Sequence, residues 1–502
     1  MILSKRFSRS GYNNIAKNNT TKNNAANNNA NYKENNNNRN GNGNSNIIKT
    51  GMNQKRRIAI VLFLLIAATV ALSGNFAYIQ LSWGTDLQRM AYAQQNRGRI
   101  ISPRRGSILD RNGKELAISA SVETVWVNPG DIKSADLPAD EIAVKLAGML
   151  DLDRESVYKK ITASSSYQIL KRKIDRTKGD EIREWIQNEN LNGIYVDEDT
   201  KRFYPGGNLA AHVIGFTGID NQGLDGIEAV MEKYLKGVPG RILSEVDNRG
   251  QELPFRSERR IDAQDGLNVV LTLDESIQYF TQKVIEKAIV DYKVNGGAVA
   301  IVMDPRSGDI LSLVSYPDYD LNNPFASPPG VDSSTWSGNT AADVELLQKT
   351  LWRNKAVADT YEPGSTFKAI TSAAGLEEGV ITPESRVTDS PVKIGKWTLD
   401  CWRTGRLHGE ESFREGVYNS CNPVFVRIAQ SLGIERFYQY VRAFGFFEKT
   451  GIELPGEEQG VIHTKPAEID MAVASFGQRF TITPIQLITA YSAIANGGML
   501  MK

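Results

Sequence analysis

Tyr361-Glu362-Pro363-Gly364-Ser365-Thr366-Phe367-Lys368 places a serine just after a Pro-Gly break and a lysine three residues further on. Residues three apart on a helix share a face, so the spacing brings both side chains within reach of each other. A serine hydroxyl is a weak nucleophile until a base takes its proton. Lysine can be that base where burial lowers its pKa. Ser-x-x-Lys alone says little, because it occurs at Ser156/Lys159, Ser365/Lys368 and Ser390/Lys393. Ser390 precedes Pro391, which disfavours a helical pairing. Ser156 lies in the charged Asp153-Arg154-Glu155-Ser156-Val157-Tyr158-Lys159-Lys160, which suits a solvated helix face. Ser365 instead leads into Phe367, Ile370, Ala374 and Gly375, a buried helix whose N-terminus would face a developing oxyanion.

Such a site needs a second polar element. Ser420-Cys421-Asn422 follows 55 residues after Ser365. The Ser420 hydroxyl could relay protons, and the Asn422 amide could hold substrate and lysine. Ser337-Gly338-Asn339 matches the same pattern but sits in a loop-like stretch ahead of the nucleophile.

Further out, composition bounds the rest. The chain has 502 residues, enough for two or three domains. A net charge of +1 argues against a nucleic-acid partner. His212, His408 and His463 lie far apart and form no metal motif, so no metal or other cofactor is expected. Residues 1–54 are read as a disordered, asparagine-rich cytoplasmic tail that cannot bury enough apolar surface to order itself. Lys55-Arg56-Arg57 then precedes an apolar run reaching Trp83. Residues 55–83 are expected to form a single membrane anchor, with the N-terminus in the cytoplasm and all that follows outside the cell membrane. A cleaved signal peptide is the alternative, with Ala71-Leu72-Ser73-Gly74 near the cut, but its apolar region would be shorter.

Residues 84–264 read as a pedestal or interaction domain, in which the arginines of Arg105-Gly106-Ser107-Ile108-Leu109-Asp110-Arg111-Asn112-Gly113 could pair with carboxylates. Residues 265–502 read as the catalytic domain. Val269 to Leu273 is a strand candidate, and Asp274 can cap a helix lined by Ile277, Phe280, Val284, Ala288 and Ile289. Residues 298–304 and 309–314 form a hairpin around Pro305-Arg306-Ser307-Gly308. The expectation is an α+β multidomain chain whose last domain is an antiparallel sheet covered by helices.

Glu362-Pro363-Gly364-Ser365-Thr366-Phe367-Lys368 and Ser420-Cys421-Asn422 resemble the first two active-site motifs of penicillin-binding proteins. Arg105-Gly106-x-Ile108-x-Asp110-Arg111-Asn112-Gly113, Arg202-x-Tyr204-Pro205 and Gly223-Leu224-x-Gly226-x-Glu228 resemble the pedestal of the class B, monofunctional branch. The resemblance implies a serine beta-lactamase-like domain in which Ser365, Lys368 and Ser420 are catalytic and Asn422 binds substrate. It implies peptidoglycan stem peptides as substrate, beta-lactams as acylating ligands, and D,D-transpeptidation in cell division or spore wall synthesis. A glycosyltransferase and other wall-synthesis proteins are expected partners.

The family's third motif, Lys-Thr-Gly on an edge strand, is spelled by Lys449-Thr450-Gly451. That copy leads into Ile452-Glu453-Leu454-Pro455-Gly456-Glu457, which resembles a structural loop of the family. Ala474-Ser475-Phe476-Gly477-Gln478 and Thr483-Pro484-Ile485-Gln486 precede the true motif in the family. The 265–502 domain is therefore expected to be truncated before its C-terminal edge strands, and a chain ending there could be inactive. The alternatives are a D,D-carboxypeptidase or beta-lactamase-type hydrolase on the same serine, and a catalytically silent scaffold. Cys401 and Cys421 lie 20 residues apart, with Cys421 inside the second motif. Outside the membrane they could form a disulfide that pulls on the site, with a thiol–disulfide oxidoreductase as partner. Two unpaired, buried cysteines are the alternative.

Overall fold

A computed structural model describes residues 52–84, 96–245, 259–403 and 405–501. The tail expected over residues 1–54 lies, up to residue 51, outside the described residues; residues 52–54 already belong to helix α1 (Met52–Ser82). Within α1, the span Lys55–Ser82 holds an 18-residue window with a mean hydropathy of 2.3. At about 1.5 Å per residue it is long and apolar enough to cross a bilayer.

The pedestal is built on strands β1 (Asn96–Ile101), β2 (Ile108–Leu109), β3 (Glu115–Val127), β4 (Gln168–Ile174), β5 (Ile194–Phe203), β6 (Gly240–Glu245) and β7 (Arg259–Ile261). Strand β3 is central and pairs antiparallel with β5 from Ile118↔Phe203 to Val127↔Ile194, and with β4 on its other side. Helices α2 (Ala139–Leu150), α3 (Arg154–Ile161) and α4 (Arg176–Asn188) cover this sheet. Their apolar residues recur at helical spacing: Ile142, Leu146 and Leu150 from α2 meet Val157, Ile161 and Ile182 over Val125, Val127 and Ile194. A second sheet runs β1-β6-β7.

Of the two arginines expected to pair with carboxylates, Arg105 does so, and Arg202 joins it. Arg105 Nε donates to Glu228 Oε2 at 2.5 Å, and Arg202 Nε donates to Glu228 Oε1 at 2.6 Å. Arg105 Nη1 also reaches Glu232 Oε2 at 2.5 Å, and Tyr204 OH donates to Glu228 Oε1 at 3.3 Å. Side-chain exposure is 2% for both arginines and 0% for Glu228, so water cannot substitute for any partner. Three motifs separated in sequence thus close on one buried carboxylate.

Residues on both sides of 264/265 share one core. Strand β8 (Val269–Val270) pairs parallel with β2, and Ile108, Tyr204 and Phe216 pack in one cluster with Leu273, Leu313 and Ile485. Beyond β8 come helix α5 (Glu275–Tyr292) and the antiparallel hairpin β9 (Ala298–Met303) and β10 (Ile310–Tyr316). Asp274 caps α5 as expected, its Oδ1 accepting from the N–H groups of Ser276 and Ile277. The face that α5 buries is different from the expected one. Gln278 and Gln282 are inside, while Phe280 is 70% exposed and Val284 51% exposed. Gln278 Oε1 accepts from Leu313 N and its Nε2 donates to Leu313 O, so hydrogen bonds to the β10 backbone orient the helix. Among the helices that follow are α6 (Lys368–Glu377), α7 (Asn422–Leu432), α8 (Glu468–Ala474) and α9 (Pro484–Ala495). Their shared core holds Phe367, Ile370, Ala429, Met471, Phe480, Ile482 and Ala490.

Candidate active site

The Pro363-Gly364 break works as a corner. Gly364 adopts φ +57° and opens a 3-10 turn, Gly364–Phe367, that runs directly into α6. Phe367 is fully buried against Phe446 and Phe480, which pins the turn while Ser365 stays exposed. Lys368, the first residue of α6, is only 5% exposed.

The second element arrives from the start of α7. Ser420 sits at φ +50°, a conformation that costs a non-glycine residue about 1–3 kcal/mol. It points both its carbonyl and its hydroxyl at the lysine. Lys368 Nζ donates to Ser420 O at 2.7 Å, to Ser420 Oγ at 2.9 Å and to Asn422 Oδ1 at 2.7 Å. Those three bonds use all three donors of an ammonium group. Ser420 Oγ lies 3.1 Å from Ser365 Oγ. The four residues singled out from sequence therefore meet, with Ser420 bridging Ser365 and Lys368.

Burial lowers the Lys368 pKa from 10.5 to about 8, against an opposing pull from the nearby Cys421 and Cys401. The neutral amine is then accessible near physiological pH. In that state Ser420 can donate its proton to Nζ and accept one from Ser365, so the line Ser365–Ser420–Lys368 can carry a proton off the nucleophile.

The competing motifs stay apart from this chemistry. Ser156 is exposed on α3. Ser390 Oγ accepts from Arg427 Nη2 at 2.7 Å. Lys449-Thr450-Gly451 is a loop wrapped around Glu457, whose Oε1 accepts from Thr450 N at 2.6 Å and from Thr450 Oγ1 at 2.7 Å. Lys449 Nζ donates to Glu457 O at 2.5 Å. Cys401 and Cys421 are free thiols in one buried cluster with Phe413, Val424 and Phe425. Burial above all, then the neighbouring Cys401 and Glu411, pushes the Cys421 thiol well above its ordinary pKa.

Sequence reasoning missed three supports. The Phe425 ring centroid lies 5.2 Å from Lys368 Nζ, a favourable face for a cation. Tyr491 OH, from α9, donates to Thr366 O at 2.5 Å. Glu362 Oε1 accepts from Arg479 N at 2.9 Å. Phe425 follows Asn422 by one helical turn, the only signal that could have singled it out.

Residues 298–502 match the family profile described as penicillin binding protein transpeptidase domain, and residues 100–271 match the penicillin-binding protein dimerisation domain. The chain is 35% identical over 453 residues to stage V sporulation protein D of Bacillus subtilis, covering 89% of this chain and 66% of that one. It is 27% identical over 447 residues to the peptidoglycan D,D-transpeptidase FtsI of Escherichia coli, covering 88% and 71%. The penicillin-binding protein PBP2 of Helicobacter pylori, solved in complex with MreC, has the same fold: TM-score 0.64 at 24% identity, over 80% of this chain and 77% of that one. The chain thus spans about two thirds of the length of the sporulation protein it matches. It belongs to the class B penicillin-binding proteins, of the division and sporulation type.

Proposed function

We propose that the chain acts as a peptidoglycan D,D-transpeptidase in cell division or spore wall synthesis. The observation that carries this reading is the hydrogen-bonded line from Ser365 Oγ through Ser420 Oγ to the buried Lys368 amine. Ser365 attacks the carbonyl carbon of the penultimate D-alanine while its proton passes through Ser420 to Lys368. The C–N bond to the terminal D-alanine then breaks, and that amine leaves with a proton returned along the same line. An amine from a neighbouring stem peptide attacks the Ser365 ester, forms the cross-link and releases the serine. Asn422 holds Lys368 through Oδ1, and its amide nitrogen is available to a substrate carbonyl. A beta-lactam enters the same route and stops at the ester.

In the same proposal, residues 55–83 anchor the chain with its N-terminus in the cytoplasm, 84–264 dock other wall-synthesis proteins including a glycosyltransferase, and 265–502 do the chemistry. A thiol–disulfide oxidoreductase would address Cys401 and Cys421 only in a locally opened form, since both are buried. Labelling by a fluorescent penicillin tests the central assignment. The adduct is expected on the peptide containing Ser365 and lost in Ser365→Ala. No adduct in the unsubstituted protein would instead support a silent scaffold, and rapid loss of the adduct to water a hydrolase.

A further inference from the structure

Residues 475–482 supply no atom to the proton route, yet they fasten the nucleophile turn on both sides. Tyr361 and Ile482 exchange backbone hydrogen bonds at 3.0 Å in each direction. Gly364 N donates to Gly477 O at 2.8 Å, Thr371 Oγ1 donates to Ser475 O at 2.8 Å, and Arg479 N donates to Glu362 Oε1 at 2.9 Å. The approach at Gly477 is too close for a side chain: φ is +86°, and an added Cβ would stand 1.9 Å from Gly364 O. Two positions later Arg479 adopts φ +67°, a left-handed conformation that a non-glycine residue keeps only where its surroundings impose it. Its guanidinium is turned to Asp470, with Nη1 3.0 Å from Oδ1, so the arginine meets Glu362 through its backbone.

Ser365 is exposed and gains no placement from packing of its own side chain. Its position is inherited from the turn around it. We propose that Glu362 and Arg479 form a positioning latch: the Glu362 carboxylate captures the Arg479 N–H, holds the left-handed 477–479 turn against Gly364, and thereby sets where the Ser365 hydroxyl and N–H stand for acylation. The consequence for acylation rests on the transpeptidase reading above, while the latch itself does not. A misplacement of about 1 Å is enough to lower a rate roughly 100-fold.

The test compares Glu362→Ala, Glu362→Gln and Gly477→Ala with the unsubstituted full chain in membranes. Two quantities are read: hydrogen–deuterium exchange of the peptide covering residues 362–368, and the kinetics of acylation by a fluorescent penicillin. Glu362→Ala and Gly477→Ala are expected to raise exchange and lower the limiting acylation rate by roughly 10- to 100-fold. The dissociation constant of the non-covalent step should stay within about threefold, because binding surfaces are untouched. Glu362→Gln keeps an acceptor oxygen and is expected to restore both readouts. Unchanged exchange in Glu362→Ala overturns the latch, as does a Glu362→Gln variant as defective as Glu362→Ala. Raised exchange with an unchanged limiting rate overturns the positioning role. If even the unsubstituted protein takes no label, the transpeptidase reading fails, and exchange still decides the latch.

Discussion

The most direct consequence of the site is the pH profile of acylation. An ordinary lysine at 10.5 is neutral in about one molecule in a thousand at pH 7.5, whereas a lysine near 8 is neutral in about one in four. Burial of Lys368 therefore supplies roughly 240 times more free base at that pH. Acylation of Ser365 by a fluorescent penicillin, followed in stopped flow from pH 6.5 to 9.5, should rise about tenfold per pH unit at the acid end and level off above about 8. A rate flat across that range, or one still climbing with a midpoint near 10, would refute Lys368 as the base. The same depressed pKa bears on stability. The unfolded chain holds this proton more tightly than the folded one, so stability should rise with pH between about 8 and 10.5. The span corresponds to about 3 kcal/mol at most. Below pH 8 both states carry the proton and the contribution is constant.

Other consequences can be checked on single variants. Lys368→Met should slow acylation by about 10²- to 10⁴-fold, the usual worth of a positioned general base, read by the same labelling assay. Glu228→Ala strands Arg202 inside the pedestal and leaves Arg105 with Glu232 as its one carboxylate, and should cost about 3–5 kcal/mol, read as a lowered urea midpoint; a loss below about 1 kcal/mol would mean water reaches the arginines. Lys449→Ala should leave penicillin labelling within about twofold, because Lys449 serves only the loop around Glu457. Maleimide should find Cys401 and Cys421 in denaturant but not in the native protein, since burial hides both and raises the Cys421 thiol. A chain that takes no label in denaturant without reductant would instead contain the bridge.

Much of this site was legible because it is local chemistry. Ser365 and Lys368 are three residues apart, and a Pro-Gly break before an apolar helix is a signal that needs no tertiary information. The decoys at Ser156 and Ser390 could be set aside on the same grounds, by charge and by proline. Helix α5 was legible only in part. Its cap at Asp274 follows from one side chain and its nearest N–H groups, but its buried face does not. Periodicity pointed to Phe280 and Val284, while the Gln278 amide found backbone partners on β10 and the Gln282 amide found the Asp318 carboxylate beside it, turning the helix the other way.

By itself, then, the sequence pointed to Ser365 with Lys368 three residues on, to the local Ser420/Asn422 pair and to one long apolar helix, because each rests on neighbours a few residues apart or on composition. The tertiary structure decided what distance in the chain conceals. It brought Ser420 between Ser365 and Lys368, gathered Arg105 and Arg202 on Glu228, and set Arg479 against Glu362. These are contacts between residues 26 to 123 positions apart. At Glu228 burial leaves the two guanidiniums no water to turn to, whereas the exposed Ser420–Ser365 and Arg479–Glu362 contacts exist because the fold sets those segments side by side.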